Sequence, residues 1–219
     1  MRRTKAEAQE TRSAILDAAE HVFFERGVSQ SALSHIASQA GITRGAIYWH
    51  FAGKSDLFLA MHERAFLPER AFIESQGLET SAEPLGELHR CALECIQRFA
   101  SDERAKRVYS ILHLRCEYVG EMEAVMNCHR RNEDDMQQII RKVFERARDL
   151  GELKAPWQPG TAVIACVGTF TGLITEWLRA GEDFDIRETG KLMLDALFAG
   201  FGSVRGFSSG ATTEILASA

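Results

Sequence analysis

The most informative part of this 219-residue chain is Gly41-Ile42-Thr43-Arg44-Gly45-Ala46-Ile47-Tyr48-Trp49-His50-Phe51, with Lys54 close behind it. Gly41 can adopt a positive φ angle and so end one helix, and Thr43 can cap the next. Ile47 and Phe51 are four residues apart, so both can face inward from a helix of barely two turns. We therefore expect a turn and a short helix that leaves an arginine and several hydrogen-bonding rings outside.

Two interpretations of this short helix are open. A helix of this length is not stable alone, and a buried core has little use for an arginine beside so many polar rings. The helix could be an ordinary amphipathic one with an aromatic-rich surface. The interpretation that we favour is that it enters a groove of DNA.

The residues before this stretch predict two more helices. The first runs from Thr4 to Arg26 and ends at Gly27, and Ser31 is placed to cap the second. Three helices joined by a tight turn are typical of a helix-turn-helix domain. The two apolar faces consist of Ile15, Ala19, Val22 and Phe23 in the first helix and Leu33, Ile36, Ala37 and Ala40 in the second.

The rest of the chain also shows helical spacing and no convincing strand alternation, so we predict an all-α fold of about nine helices. Pro68 falls inside the fourth helical pattern and should kink or end it. Further helices are expected at about 84–101, 102–116, 121–150, 160–180 and 185–204. The predicted organisation is a helix-turn-helix domain over 1–54, a helical domain over 55–204 and a mobile tail over 205–219.

Composition limits the classes of protein. Residues 1–54 carry 7 Lys/Arg against 5 Asp/Glu, a charge of +2, whereas residues 55–219 carry 19 against 26, a charge of −7. This asymmetry fits phosphate contacts confined to one end. The five cysteines lie inside helical patterns, which suits free thiols in a reducing cytoplasm. No signal peptide is evident, and the apolar run 161–178 is better explained by a buried helix than by a membrane span.

The block Ser34-His35-Ile36-Ala37, Ala40 to Phe51 and Lys54-Ser55-Asp56-Leu57 resembles the N-terminal domain of TetR-family transcriptional regulators. A weaker likeness over Arg115-Cys116-Glu117-Tyr118-Val119-Gly120-Glu121-Met122 resembles the AcrR/TtgR branch, the repressors of multidrug efflux pumps. This resemblance implies a cytoplasmic homodimeric repressor that binds a palindromic double-stranded DNA operator and is released by a small lipophilic ligand. A regulator of unrelated metabolic genes is the alternative within the same family.

The resemblance assigns DNA contacts to the short helix and its surroundings. Arginine can bind the guanine edge, and tyrosine, histidine or lysine can donate to phosphate oxygens. Arg2, Arg3 and Lys5 could add an arm to the minor groove, or form a solvated tail. The predicted DNA-binding residues are Thr43, Arg44, Gly45, Tyr48, Trp49, His50 and Lys54.

The resemblance also implies a ligand cavity between the middle helices and a four-helix dimer interface formed by the last two helices of each subunit. For both sets, ordinary intramolecular core is the competing interpretation. The predicted ligand-binding residues are Phe66, Cys91, Cys95, Phe99, Tyr109, Leu112, His113, Met136, Ile140, Phe170, Thr171 and Thr175. The predicted interface residues are Ala165, Gly168, Gly172, Leu194, Leu197, Phe198 and Phe201.

Other kinds of function have weaker support. Cys91 and Cys95 are one helical turn apart, and Arg115 adjoins Cys116, so a redox- or metal-responsive regulator remains an alternative. The cysteine spacing is not that of a structural zinc site, and we expect no bound metal or cofactor. The sequence has no glycine-rich phosphate loop, HExxH or G-x-S-x-G motif, so we expect no catalytic residues and no enzyme activity.

Overall fold

The structure, a computed structural model, describes residues 5–202 apart from the side chains of residues 69 and 121. Within this range nine α-helices and no strand are present, which confirms the all-α prediction. Arg2, Arg3, Thr4 and the predicted tail lie outside the described residues. The helices are α1 (Lys5–Arg26), α2 (Leu33–Gln39), α3 (Arg44–Ile47), α4 (Lys54–Ser75), α5 (Pro84–Ser101), α6 (Glu103–Leu114), α7 (Glu123–Asp149), α8 (Pro159–Arg179) and α9 (Ile186–Phe201).

The connection between α1 and α2 is fastened by a serine. The Ser31 hydroxyl donates to the carbonyl oxygens of Gly27 at 2.6 Å and Val22 at 3.3 Å. The N-cap of α2 is Ala32, whose N–H donates to Nδ1 of His35 at 3.3 Å. The prediction that Ser31 caps α2 is therefore wrong, because its hydroxyl is used to close the end of α1.

The turn between α2 and α3 matches the sequence prediction. Gly41 has a φ of +67°, and the Thr43 hydroxyl oxygen accepts a hydrogen bond from the N–H of Ala46 at 3.2 Å. Ile47 and Phe51 are buried. These contacts hold α3 against α1 and α2 with its remaining side chains outward.

The fourth helix is continuous over 22 residues. Its N-terminal half buries Leu57, Phe58 and Met61, while Pro68 is exposed on the outer side. A helix end at Pro68, one of the two expected outcomes, is wrong, since α4 continues to Ser75. One rigid element therefore leads from the helix-turn-helix into the rest of the molecule.

Two hydrophobic cores share α4 and α6. The N-terminal core contains the buried apolar side chains of α1–α4 together with Val108 and Ile111 of α6, and the C-terminal core lies among α5–α9. Tyr109 of α6 belongs to the second core, and Phe66 of α4 packs against both. The domain boundary between residues 54 and 55 stays a prediction.

A buried ionic cluster fastens α1 to the same two helices. The Glu20 side chain is 1% exposed and binds Arg64 of α4, Arg104 of α6 at 3.2 Å and Arg107 of α6 at 3.3 Å. Asp17 binds Arg104 at 3.0 Å on the outer side. A buried carboxylate is tolerable only because several guanidinium groups surround it.

The C-terminal helices pack around α8, which contacts α6, α7 and α9. α8 is long and apolar enough to cross a membrane, with a mean hydropathy of 1.4 in its most apolar window, of which 33% is buried. Its Trp177 donates from Nε1 to the carbonyl of Phe184 at 3.0 Å. α9 packs closely on α5 at Gly190, where an added Cβ would lie 2.7 Å from Cδ1 of Ile96.

Candidate DNA-binding surface and ligand cavity

The outer face of α3 presents a paired arginine and tyrosine. Arg44 donates from Nη2 to the Tyr48 hydroxyl at 3.0 Å, and its guanidinium lies 5.6 Å from the centre of the tyrosine ring. Tyr48 is 48% exposed and the neighbouring Trp49 is 89% exposed. Two large rings are therefore exposed side by side directly after the end of α3.

The other predicted DNA-binding residues surround this pair. Thr43 and Gly45 are exposed at the start of α3, and His50 is half-buried after its end. Lys54 is half-buried as well, and its ammonium donates to the carbonyls of Val28 at 3.3 Å and Ser31 at 3.4 Å. Lys54 therefore fastens the α1–α2 connection, and its contact with phosphate stays a prediction.

A cavity of about 670 Å³ lies between α5, α6, α7 and α8. This volume is within the range of small-molecule sites, roughly 300–1,000 Å³. A second cavity of about 300 Å³ adjoins it on the side of α4 and shares Cys95, Tyr109 and Phe170 with it. The two cavities thus lie directly beside α4, the helix that leads to α3.

Most of the predicted ligand-binding residues line these cavities. Phe66 and Phe99 line only the smaller one. Leu112 is the exception: it is buried in the N-terminal core, because it shares a face of α6 with Val108 and Ile111 rather than with Tyr109. The predicted residues that line the larger cavity are Cys91, Cys95, Tyr109, His113, Met136, Ile140, Phe170, Thr171 and Thr175.

About half of the residues that line the larger cavity were not predicted from the sequence. Glu133 and Gln137 extend the face of α7 that holds Met136 and Ile140, and their spacing of three to four residues was the available signal. Gly168 and Gly172, which were assigned to the dimer interface, also line the cavity. The further lining residues are Ile73, Leu78, Leu88, Ala92, Cys166, Val167 and Glu176.

The cavity has one polar end. The Tyr109 hydroxyl lies 3.2 Å from Oγ1 of Thr175, and burial raises the pKa of Tyr109. Glu133 accepts a hydrogen bond from His129 Nε2 at 3.2 Å, which lowers the pKa of that carboxyl group. The described lining includes two carboxylates, Glu133 and Glu176, and neither lysine nor arginine. Glu133 is bound to His129 and Glu176 to Arg179.

The expected interface residues fall into two groups. Leu194, Phe198 and Phe201 are fully buried inside the chain, with Phe198 against His89. For these three the interface expectation is corrected, because the face of α9 that holds them packs on α5 and α7. Ala165, Gly168, Gly172 and Leu197 keep accessible surface, and Ile164, Leu192 and Met193 add exposed apolar groups nearby.

Burial makes two of the cysteines less reactive. Burial raises the pKa of Cys166 to about 12 and that of Cys116 to about 11, so both are thiols at neutral pH. Arg115 lies over the ring of Phe24, 4.6 Å from its centre. Within residues 5–202 no group of three or more His, Cys, Asp or Glu side chains is arranged to hold a metal ion.

Together, these features define a class of protein: a helix-turn-helix regulator whose helical second part encloses a ligand-sized cavity. The chain belongs to the TetR family of bacterial regulatory proteins. The N-terminal family model matches residues 15–61, and the model of the MAATS-type transcriptional repressor C-terminal region matches residues 83–202. The resemblance to the AcrR/TtgR branch is confirmed.

Comparisons with individual proteins agree with this assignment. The transcriptional repressor BepR of Brucella suis is 41% identical over 186 residues, which are 85% of this chain and 89% of BepR. NalD of Pseudomonas aeruginosa, the secondary repressor of the MexAB-OprM multidrug efflux pump, has a TM-score of 0.82 and 33% identity, covering 93% of this chain and 100% of NalD. A complex of SmeT with triclosan has a TM-score of 0.80 and 31% identity, covering 92% and 96%.

Proposed function

We propose that this protein is a cytoplasmic homodimeric repressor of a multidrug efflux operon, released from a palindromic operator by lipophilic compounds. The observation that supports it most is the cavity beside α4, combined with the exposed Arg44–Tyr48 pair on α3. The first provides a place for a ligand and the second a surface for DNA. The relationship to NalD, a repressor of an efflux pump, supports the choice of operon.

The DNA surface suits base and phosphate contacts. Arg44 can bind guanine O6 and N7 through two parallel hydrogen bonds, and its present partner, the Tyr48 hydroxyl, can turn to a phosphate oxygen. Gly45 leaves open space beside Thr43, so the helix backbone can approach DNA closely. Two such helices in a dimer, about 34 Å apart, would fit successive major grooves.

The cavity suits neutral or cationic lipophilic compounds. Its walls are apolar and aromatic, and its polar end offers Tyr109, Thr175 and the ionised Glu133. A ligand here contacts Tyr109, whose ring centre lies 6.5 Å from that of Phe66 on α4. Differential binding to two positions of α4 would shift the population toward the one in which the recognition helices no longer fit the operator.

The test is titration of fluorescently labelled DNA from upstream of the protein's own gene, with and without triclosan. We expect specific binding whose affinity falls steeply between 50 and 200 mM salt, by about 10³–10⁵-fold for 6–10 phosphate contacts, and release by the compound. Binding that does not respond to salt, or that does not prefer this DNA over random duplex, would refute the operator proposal. Tight binding that no lipophilic compound releases would refute the role of the cavity.

A further inference from the structure

Three histidines from three helices meet where the ligand cavity joins α4. His62 belongs to α4, His113 to α6 and His129 to α7. The ring centres of His62 and His129 are 5.5 Å apart, and those of His113 and His129 are also 5.5 Å apart, in edge-to-face contacts. We name these three residues the histidine cluster. It connects the helix that leads to α3 with the two helices that form one wall of the cavity.

The cluster is directly linked to the ligand site. His113 lines the larger cavity and stacks on Tyr109 with ring centres 4.0 Å apart. His129 contacts Glu133, which lines the same cavity. On the other side, His62 packs on Phe66 within α4, with ring centres 4.9 Å apart. A change in the charge or position of these histidines would therefore affect both the ligand cavity and α4.

The surroundings of His62 oppose a positive charge. The groups that face it are His113 of α6 and His129 and Glu133 of α7. The two histidines disfavour the charge, whereas the carboxylate of Glu133, which also acts on Tyr118 of the α6–α7 connection, favours it and is outweighed by burial and the histidines. Burial, together with the two neighbouring histidines, lowers the pKa of His62 to about 4. Burial first, and then His129, lower the pKa of His113 to about 4. Among the described residues, Nδ1 of His129 is buried and has no hydrogen-bond partner. If this nitrogen were protonated, its N–H would have no acceptor in place.

We propose that the histidine cluster is a proton-binding regulatory site, at which acid pH loosens the contact of α4 with α6 and α7 and so releases DNA without a lipophilic ligand. This inference rests on the proposed function, in which the position of α4 controls operator binding. The cluster is not arranged as a metal site, since no such set of donors is found within residues 5–202. Because the packed arrangement disfavours a charged imidazole, protons bind the loosened arrangement better and can act as a regulatory ligand.

The direction follows from linkage. In the packed arrangement the pKa of His62 is about 4, whereas a solvated histidine has a pKa near 6.5. Above pH 6.5 the free-energy preference for the packed arrangement over the loosened one is at its full value. This preference decreases as the pH falls from 6.5 toward 4, because the loosened arrangement binds the proton more tightly. At pH 5.5 this change favours the loosened arrangement by roughly tenfold for His62 alone.

The experiment compares operator affinity at pH 7.5 and 5.5, at constant ionic strength, for the full-length protein and three variants. The probe is labelled duplex from upstream of the protein's own gene. His62→Phe keeps an aromatic ring in the cluster but cannot titrate, and His62→Gln is the second variant if the first does not fold. His21→Gln, at an exposed position of α1, is the matched control.

We expect the wild type and His21→Gln to lose affinity at pH 5.5, by up to about tenfold, and the His62 variants to lose little. An equal loss in wild type and both His62 variants would overturn the proposal. A histidine-ring NMR titration of the free protein needs no DNA: a His62 pKa near 6.5 would also overturn it. Absence of DNA binding at pH 7.5 would instead refute the proposed function.

Discussion

At the scale of single residues, the proposed operator contacts depend on the Arg44–Tyr48 pair. The two side chains hold each other in an outward position, which reduces the conformational freedom that arginine would lose on binding a base. Neither residue is part of the buried core. The residue of α3 that is buried there is Ile47. Their substitution should therefore affect DNA binding and spare the fold.

We predict that Arg44→Ala weakens operator binding by about 1–3 kcal/mol, or roughly 5- to 150-fold, because a bidentate base contact is lost. Tyr48→Phe removes only a hydroxyl and should cost less, about 0.5–1.5 kcal/mol. Fluorescence anisotropy measures both, and Arg90→Ala on the exposed side of α5 is the control. Unchanged affinity in both variants, with unchanged thermal unfolding, would show that α3 does not read the operator.

Several features of single residues could be predicted from the local sequence. The conformation of Gly41, the cap at Thr43 and the burial of Ile47 and Phe51 follow from local chemistry, so a short stretch predicts them. The hydrogen bonds of Lys54 to the carbonyls of Val28 and Ser31 join positions more than twenty residues apart. No local pattern reveals a contact of that kind.

At the scale of elements, the ionic cluster around Glu20 determines how α1 lies against α4 and α6. Glu20→Gln leaves Arg64, Arg104 and Arg107 close together without their buried carboxylate. We predict a loss of about 3–5 kcal/mol in the free energy of unfolding, since breaking a buried ion pair leaves uncompensated charge. Urea unfolding followed by circular dichroism measures it. Glu10→Gln, exposed on the same helix, should change stability by less than about 0.5 kcal/mol, and equal effects of the two substitutions would contradict the argument.

The cavity offers a second test at this scale. Ala92→Phe directs a ring from α5 into the larger cavity, while Gln97→Phe places the same ring on the exposed side of that helix. We predict that the first lowers affinity for triclosan at least about tenfold, since the ring takes up ligand volume, and leaves operator binding intact. The second should alter neither property. Calorimetry and anisotropy measure the two affinities, and an unchanged triclosan affinity in Ala92→Phe would place the ligand elsewhere.

The bounds of the helices could largely be predicted from the sequence, but the elements against which each helix packs could not. Apolar spacing and the caps Asp102 and Asp185 define α6 and α9 from local sequence, and both caps accept the expected backbone hydrogen bonds. Spacing alone cannot tell which element an apolar face meets. Phe198 and Phe201 were expected at a subunit interface for this reason, although they fill the chain's own core. Glu133 was missed because a carboxylate on a polar helix resembles a solvated one.

At the scale of the whole molecule, the acidic total charge does not prevent DNA binding. The helix-turn-helix end is cationic by two charges and the remainder is anionic by seven, so a dimer would orient its two basic ends toward the same side of the duplex. The repulsion between DNA and the acidic bodies favours this orientation as well. The charge pattern therefore favours an arrangement of the proposed dimer in which both α3 helices lie on one face.

The exposed apolar groups of α8 and α9 suit the interface of the proposed dimer. Ile164 of α8 is 63% exposed and Leu192 of α9 is 65% exposed, and a Cβ added at Gly168 or Gly172 would meet nothing within 4 Å. α8 and α9 contact each other within the chain, so the helices of two subunits can form a four-helix arrangement there. In the proposed dimer, these glycines would allow helices of different subunits to pack closely together.

We predict that Leu192→Asp produces a monomer at micromolar concentration, because a charge would be buried without a partner in the interface. Operator affinity should fall by more than about 100-fold, since a single recognition helix reads only one half-site. Sedimentation velocity and anisotropy measure the two effects. The matched control is Leu150→Asp, at a 48% exposed leucine after the end of α7, which should remain dimeric. A Leu192→Asp dimer with normal operator affinity would mean that the subunits meet through another face, and the proposed spacing of the recognition helices would then have no structural basis.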